Sequence, residues 1–97
     1  MWYHWSEEMD RVDKILEKAK ASPNNLTFDE LCYLVTKFGY ILDRQNGSHK
    51  IYKHPKIQSR IGATINIQEF KDGKAKVYQV KEALRFIDEF GLVKEGG

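Results

Sequence analysis

The side chains able to do acid–base or nucleophilic chemistry here are three histidines, one cysteine and a run of arginines and lysines. His49 stands out among them. It follows Asn46-Gly47-Ser48 directly and lies between Arg44 and Lys50. An imidazole takes and returns a proton near neutral pH. Cations beside it steady an anion while it does so. Arg44 offers a bidentate grip on phosphate oxygens, Lys50 a point charge and Ser48 a hydroxyl donor. His54 is a second acid–base candidate, but strand alternation puts it on the face opposite His49. Cys32 reads as a buried structural thiol, because it lies on a helix with no base near it in sequence. His4, His49 and His54 share no metal-ligand spacing, so no metal is expected. No glycine-rich phosphate loop opens a helix, and no other cofactor is expected.

A hairpin must position His49. Asn-Gly is the strongest short hairpin signal, because a type I′ turn needs positive φ at both central residues. Alternation flanks it on both sides: Tyr40-Ile41-Leu42-Asp43-Arg44 before, His49-Lys50-Ile51-Tyr52-Lys53 after. With Asn46-Gly47 as the loop, Gln45 pairs with Ser48, Arg44 faces His49 and Leu42 faces Ile51. Tyr52 would fill the sheet's apolar side or stack on a base.

The hairpin also sits in a basic block. Residues 1–43 carry a net charge of −3, residues 44–81 a net +7 and residues 82–97 a net −2. No acidic residue occurs from Arg44 to Gln68. Such a block attracts polyanions, nucleic acid first among them. The plainer reading is a solvated surface balanced by acidic helices nearby.

The flanking elements are legible from periodicity. Trp2, Trp5, Met9, Val12, Leu16 and Ala19 form an amphipathic stripe, with Ser6 as N-cap. This helix packs on its own domain or offers a surface for self-association, its tryptophans serving as anchors. Thr27 and Glu30 form a capping box ahead of Leu31, Leu34, Val35 and Phe38, and Gly39 ends that helix. Ala63-Thr64-Ile65-Asn66-Ile67 alternates as a third strand, with Ala63, Ile65 and Ile67 on one side. The last helix runs from about Val77 to Phe90, with Val80, Ala83, Leu84, Ile87 and Phe90 on one stripe and Gly91 at its end. The predicted class is α+β: an α-β-β-β-α domain with a three-stranded antiparallel sheet, preceded by one extra N-terminal helix. The boundaries expected are a helix and linker over 1–25, the domain over 26–92 and a disordered tail over 93–97.

The chain of 97 residues fits one small domain. A single cysteine excludes an internal disulfide framework and suits a reducing cytoplasm. No apolar run reaches the roughly 18 residues that cross a bilayer, so no membrane partner is expected.

Leu26-Thr27-Phe28-Asp29-Glu30-Leu31, Phe38-Gly39-Tyr40, Arg44-Gln45-Asn46-Gly47-Ser48-His49, Tyr52 with His54-Pro55, and Gly73-Lys74-Ala75-Lys76-Val77-Tyr78-Gln79-Val80 together resemble the HicA toxins of bacterial toxin–antitoxin systems. The N-terminal helix places the chain with a longer branch of that family. The resemblance implies a double-stranded-RNA-binding-like fold and a toxin that cleaves mRNA as a metal-independent endoribonuclease. It implies His49 as the catalytic residue and a cognate HicB-type antitoxin as partner. Arg44, Ser48, Lys50, Lys53, Lys74 and Lys76 are the expected RNA contacts. In such a reaction the imidazole takes the proton of the RNA's own 2′-hydroxyl. The other reading is a module of the same fold that binds RNA or a protein without cutting. At the end of the third strand, where many members carry a Pro-His-type segment, this chain reads Asn66-Ile67-Gln68-Glu69-Phe70.

Overall fold

A computed structural model describes residues 10–95. Helix α1, Arg11–Ala21, starts at Asp10, whose carboxylate accepts the Asp13 N–H at 3.0 Å. The expected cap at Ser6 and the stripe positions Trp2, Trp5 and Met9 lie outside the described residues. A 3₁₀ turn, Pro23–Asn25, leads to helix α2, Phe28–Lys37. Its capping box is complete. The Thr27 hydroxyl accepts the Glu30 N–H, and the Glu30 carboxylate accepts the Thr27 N–H, both at 3.0 Å. A cap of this kind is worth about 1 kcal/mol. Gly39, at φ +101°, lets the chain turn sharply out of α2.

Strands β1, Ile41–Asn46, β2, His49–Lys53, and β3, Thr64–Gln68, form one antiparallel sheet in the order β1-β2-β3. Between β2 and β3 a short helical turn, Arg60–Ala63, breaks at Gly62, which takes φ +95°. A Cβ at Gly62 would collide with the Phe90 ring, so the position admits only glycine. Helix α3, Val77–Glu89, follows, and Gly91 at φ +59° reverses the chain after it. The order is the expected α-β-β-β-α with a helix in front.

Helices cover one face of the sheet. Tyr52, Ile65 and Ile67 point into that side and are buried with Leu31, Leu34 and Val35 of α2 and Val80, Ala83 and Phe86 of α3. Phe86 and the polar Gln79 are buried on α3 although neither lies on the apolar stripe read from the sequence. Helix α1 contributes Val12, Ile15 and Ala19 to the same core. Its described apolar face is therefore spent inside the domain rather than left for a second copy. The chain after α3, read from sequence as a tail, touches the helices. The Lys94 ammonium lies 3.0 Å from Asp13 and 3.5 Å from Asp10, and the Glu95 N–H donates to the Lys37 carbonyl at 2.8 Å. Among the described residues, no helix is long and apolar enough to cross a membrane.

Candidate active site

Among the described residues no element covers the opposite face of the sheet, and His49 stands on it. Burial fixes which residues share that face. Tyr52 is inside, so His49, Ile51 and Lys53 alternate outward from β2. On β3, Ile65 and Ile67 are inside, so Thr64, Asn66 and Gln68 face the same open side.

The hairpin register differs from the expected one. Asn46 pairs with His49, Gln45 with Lys50 and Arg44 with Ile51, so Gly47-Ser48 is the loop and Arg44 does not face His49 directly. Gly47 has φ +60°, whereas Ser48 is not among the positive-φ residues, the sign pattern of a type II′ turn. Only glycine then bears the left-handed conformation, and Asn46 stays in the ladder. The Gln45 side-chain amide also donates to the Gly47 carbonyl at 3.1 Å. A bulge at Asp43 absorbs the offset, so Leu42 pairs with Tyr52. Arg44 pairs with outward Ile51 and so shares the open face, diagonal to His49, at about 7–8 Å along the backbone.

The ring of His49 has a specific partner. Its Nδ1 lies 3.3 Å from Oδ1 of Asn66. An amide oxygen only accepts, so Nδ1 carries the proton and Nε2 is the basic nitrogen. Asn66 is thus the orienting group, and the sequence reading did not single it out. Its role depends on β3 register, in which His49 pairs with Gln68 and Ile51 with Asn66.

The remaining candidates divide. Lys53 is exposed on the open face and pairs loosely with bulged Asp43 at 3.7 Å. Ser48 is exposed in the turn. The Lys76 ammonium donates to Oε1 of Gln68 at 2.7 Å, which brings it to the His49 end of the sheet. Gln68 is itself held by buried Gln79, whose Oε1 accepts the Gln68 N–H at 3.0 Å. Lys50 takes the other side of β2, its ammonium 5.4 Å from the centre of the Phe28 ring. Alternation separates it from His49 even though the two are adjacent in sequence. Lys74 lies further out, its backbone bridging Thr27.

Four reactive groups are structural. His54 is buried; its Nε2–H donates to the Phe38 carbonyl at 3.0 Å, and its Nδ1 accepts the Lys56 N–H at 3.2 Å. Its ring packs edge-on against Tyr40 at 5.0 Å. The Tyr40 hydroxyl donates to the Gly62 carbonyl, and burial pushes its pKa up to about 12. Tyr52 is buried, so it fills the core rather than offering a stacking surface; burial and the neighbouring Cys32 thiol raise its pKa. Burial likewise pushes the Cys32 thiol up, away from the reactive thiolate. Among the described residues, no three His, Cys, Asp or Glu side chains come together as metal ligands.

The open face therefore presents one oriented imidazole, an arginine diagonal to it and lysines around it. That set suits proton transfer beside a bound anion. Comparison with known proteins bears on which anion. No curated protein and no solved structure matches the chain. One family model, described as HicA toxin of bacterial toxin–antitoxin, matches residues 28–87, from the start of α2 to Ile87 of α3, and includes the hairpin with His49. With more than half of its length under that model, the chain belongs to the HicA toxin family.

Proposed function

We propose that this toxin is an endoribonuclease that cleaves mRNA without a metal ion, with His49 as its base. The observation that carries the reading is the bond from His49 Nδ1 to Asn66, which leaves Nε2 as the proton acceptor on an open, basic face. In the reaction Nε2 takes the proton of a ribose 2′-hydroxyl, and the 2′-oxygen attacks the adjacent phosphorus. The bond from phosphorus to the 5′-oxygen breaks, leaving a cyclic phosphate and a free 5′-hydroxyl. Arg44 holds phosphate oxygens bidentately as charge builds on them, and Lys53 adds long-range attraction. Among the described residues no second acid flanks His49, and His54 is buried on the other side of the sheet. The departing oxygen takes its proton from water, so the enzyme is a slow one.

Ser48 and Lys76 complete the RNA contacts on this face, whereas Lys50, on the other side of β2, and Lys74, further out, drop from the expected set. Ser48 donates to phosphate from the turn, and Lys76 holds the strand beside it. A HicB-type antitoxin would cover the same face with acidic groups, with charge steering the encounter. Since mRNA is the substrate, the cytoplasm is the place of action.

The test is RNA cleavage in EDTA by the wild-type chain and by His49→Ala, with circular dichroism on both. Cleavage by the wild type alone, with both folded, is expected. Cleavage by neither would leave a module that binds RNA or protein without cutting. Equal cleavage by both would remove His49 from the mechanism.

A further inference from the structure

Beside the His49 face lies a group of exposed apolar side chains that cleavage chemistry does not use. Phe70 is 52% exposed and Tyr78 is 64% exposed. With Val77 and the stem of Lys76 they line one shallow dent. Two aromatic rings this exposed contribute little to the core.

The dent is continuous with the site. Gln68 pairs with His49, and Phe70 lies two residues further along the same strand direction. Glu69 still bridges Ala75, and Phe70 has extended dihedrals, so alternation keeps Phe70 on the Gln68 side, about 7 Å onward. Lys76 lines the dent and also binds Gln68 at 2.7 Å. Lys71 places its ammonium 5.9 Å from the Phe70 ring centre. The neighbouring carboxylate, Glu69, turns the other way, toward Gly73. Aromatic faces edged by lysines fit the flat, apolar faces of nucleobases and the phosphates that link them. A base can use them only when unpaired, because a duplex keeps its bases stacked on each other.

We propose that Phe70 and Tyr78 form a stacking subsite for an unpaired RNA base next to the phosphate bound at His49. The substrate is then single-stranded at the point of attack. This rests on the ribonuclease reading but is tested by binding alone.

The probe is a short single-stranded oligoribonucleotide with 2′-O-methyl riboses, which cannot be cut, and one 2-aminopurine, whose fluorescence falls on stacking. The same strand annealed to its complement is the control. Wild type, Phe70→Ala, Tyr78→Ala and Tyr78→Phe are titrated as full chains. Each alanine variant is expected to bind the single strand about fivefold or more weakly and to lose the quenching, while duplex affinity stays within about twofold. Tyr78→Phe keeps the ring and keeps the affinity. Unchanged single-strand affinity in the alanine variants overturns the proposal and leaves the patch to a protein partner. Equal losses on single strand and duplex overturn it too. A wild type that cuts no unmodified RNA defeats the ribonuclease reading instead, whatever the titrations give.

Discussion

His49 and His54 lie five residues apart on one stretch of chain, and replacing each by alanine is expected to have opposite effects. His54→Ala removes a ring that accepts the Lys56 N–H and donates to the Phe38 carbonyl inside the protein. The stranded Phe38 carbonyl costs about 1–3 kcal/mol. The Lys56 N–H is only part-buried and rehydrates, for a loss of about 1 kcal/mol. The space left beside Tyr40 adds about 1–2 kcal/mol. The sum is about 3–6 kcal/mol, a large share of the 5–15 kcal/mol that holds a small domain. At about 4 °C or more per kcal/mol the melting temperature falls by at least about 12 °C. His49→Ala gives up one exposed hydrogen bond and is expected to cost less than about 1 kcal/mol while abolishing cleavage. Thermal and urea unfolding followed by circular dichroism measure both. A His54→Ala variant as stable as the wild type would refute the bridging role of that ring. A His49→Ala variant that unfolds as easily as His54→Ala would refute the separation of the two faces.

Other outcomes are expected from the same geometry. Asn66→Ala frees the His49 ring, and kcat for RNA cleavage should fall about fivefold, the worth of one hydrogen bond near 1 kcal/mol, with KM unchanged; a change confined to KM would show that Asn66 binds substrate instead. Glu30 sits below the ordinary carboxyl range: burial alone raises it, but hydrogen bonds from Lys18 and the Thr27 N–H, with the Lys18 charge, outweigh burial. Such a carboxylate contributes stability that is complete above its unfolded pKa and lost as pH falls through its folded one. Urea midpoints taken from about pH 6 down to pH 3 should therefore drop less steeply in Lys18→Ala than in wild type; parallel curves would contradict the pairing. Burial raises the Cys32 thiol, so a thiol reagent should label the native chain slowly and the urea-unfolded chain at the rate of a free cysteine.

The sequence was most informative where local rules decide. Thr27 and Glu30 form their capping box and Gly39 ends α2, because these devices need only a few neighbouring residues. Ile65 and Ile67 go inside as their alternation predicted. Local preference alone points to the wrong hairpin register. Asn46-Gly47 favours a type I′ turn, but a turn over Gly47-Ser48 needs positive φ only at Gly47 and leaves Asn46 in the ladder, and both registers keep Tyr52 against Ile65 in the core. The turn then moves to Gly47-Ser48 and the bulge at Asp43 absorbs the difference. His49 was visible as a basic group on a hairpin, whereas Asn66 was not, since an asparagine gains meaning only once the strand beside it is known. Lys50 is adjacent to His49 in sequence, which in a strand means the opposite face.

The ion pairs of Lys94 with Asp10 and Asp13 join positions 81 or more residues apart. As exposed pairs they add little to stability. Their consequence is topological. The two ends of the described chain meet on the helix layer, behind the sheet face that carries His49. A short linker could join them into a ring, and the ring could be reopened at another exposed loop without disturbing the strand order. A fusion partner joined directly at Asp10 or Glu95 would likewise start behind the basic face.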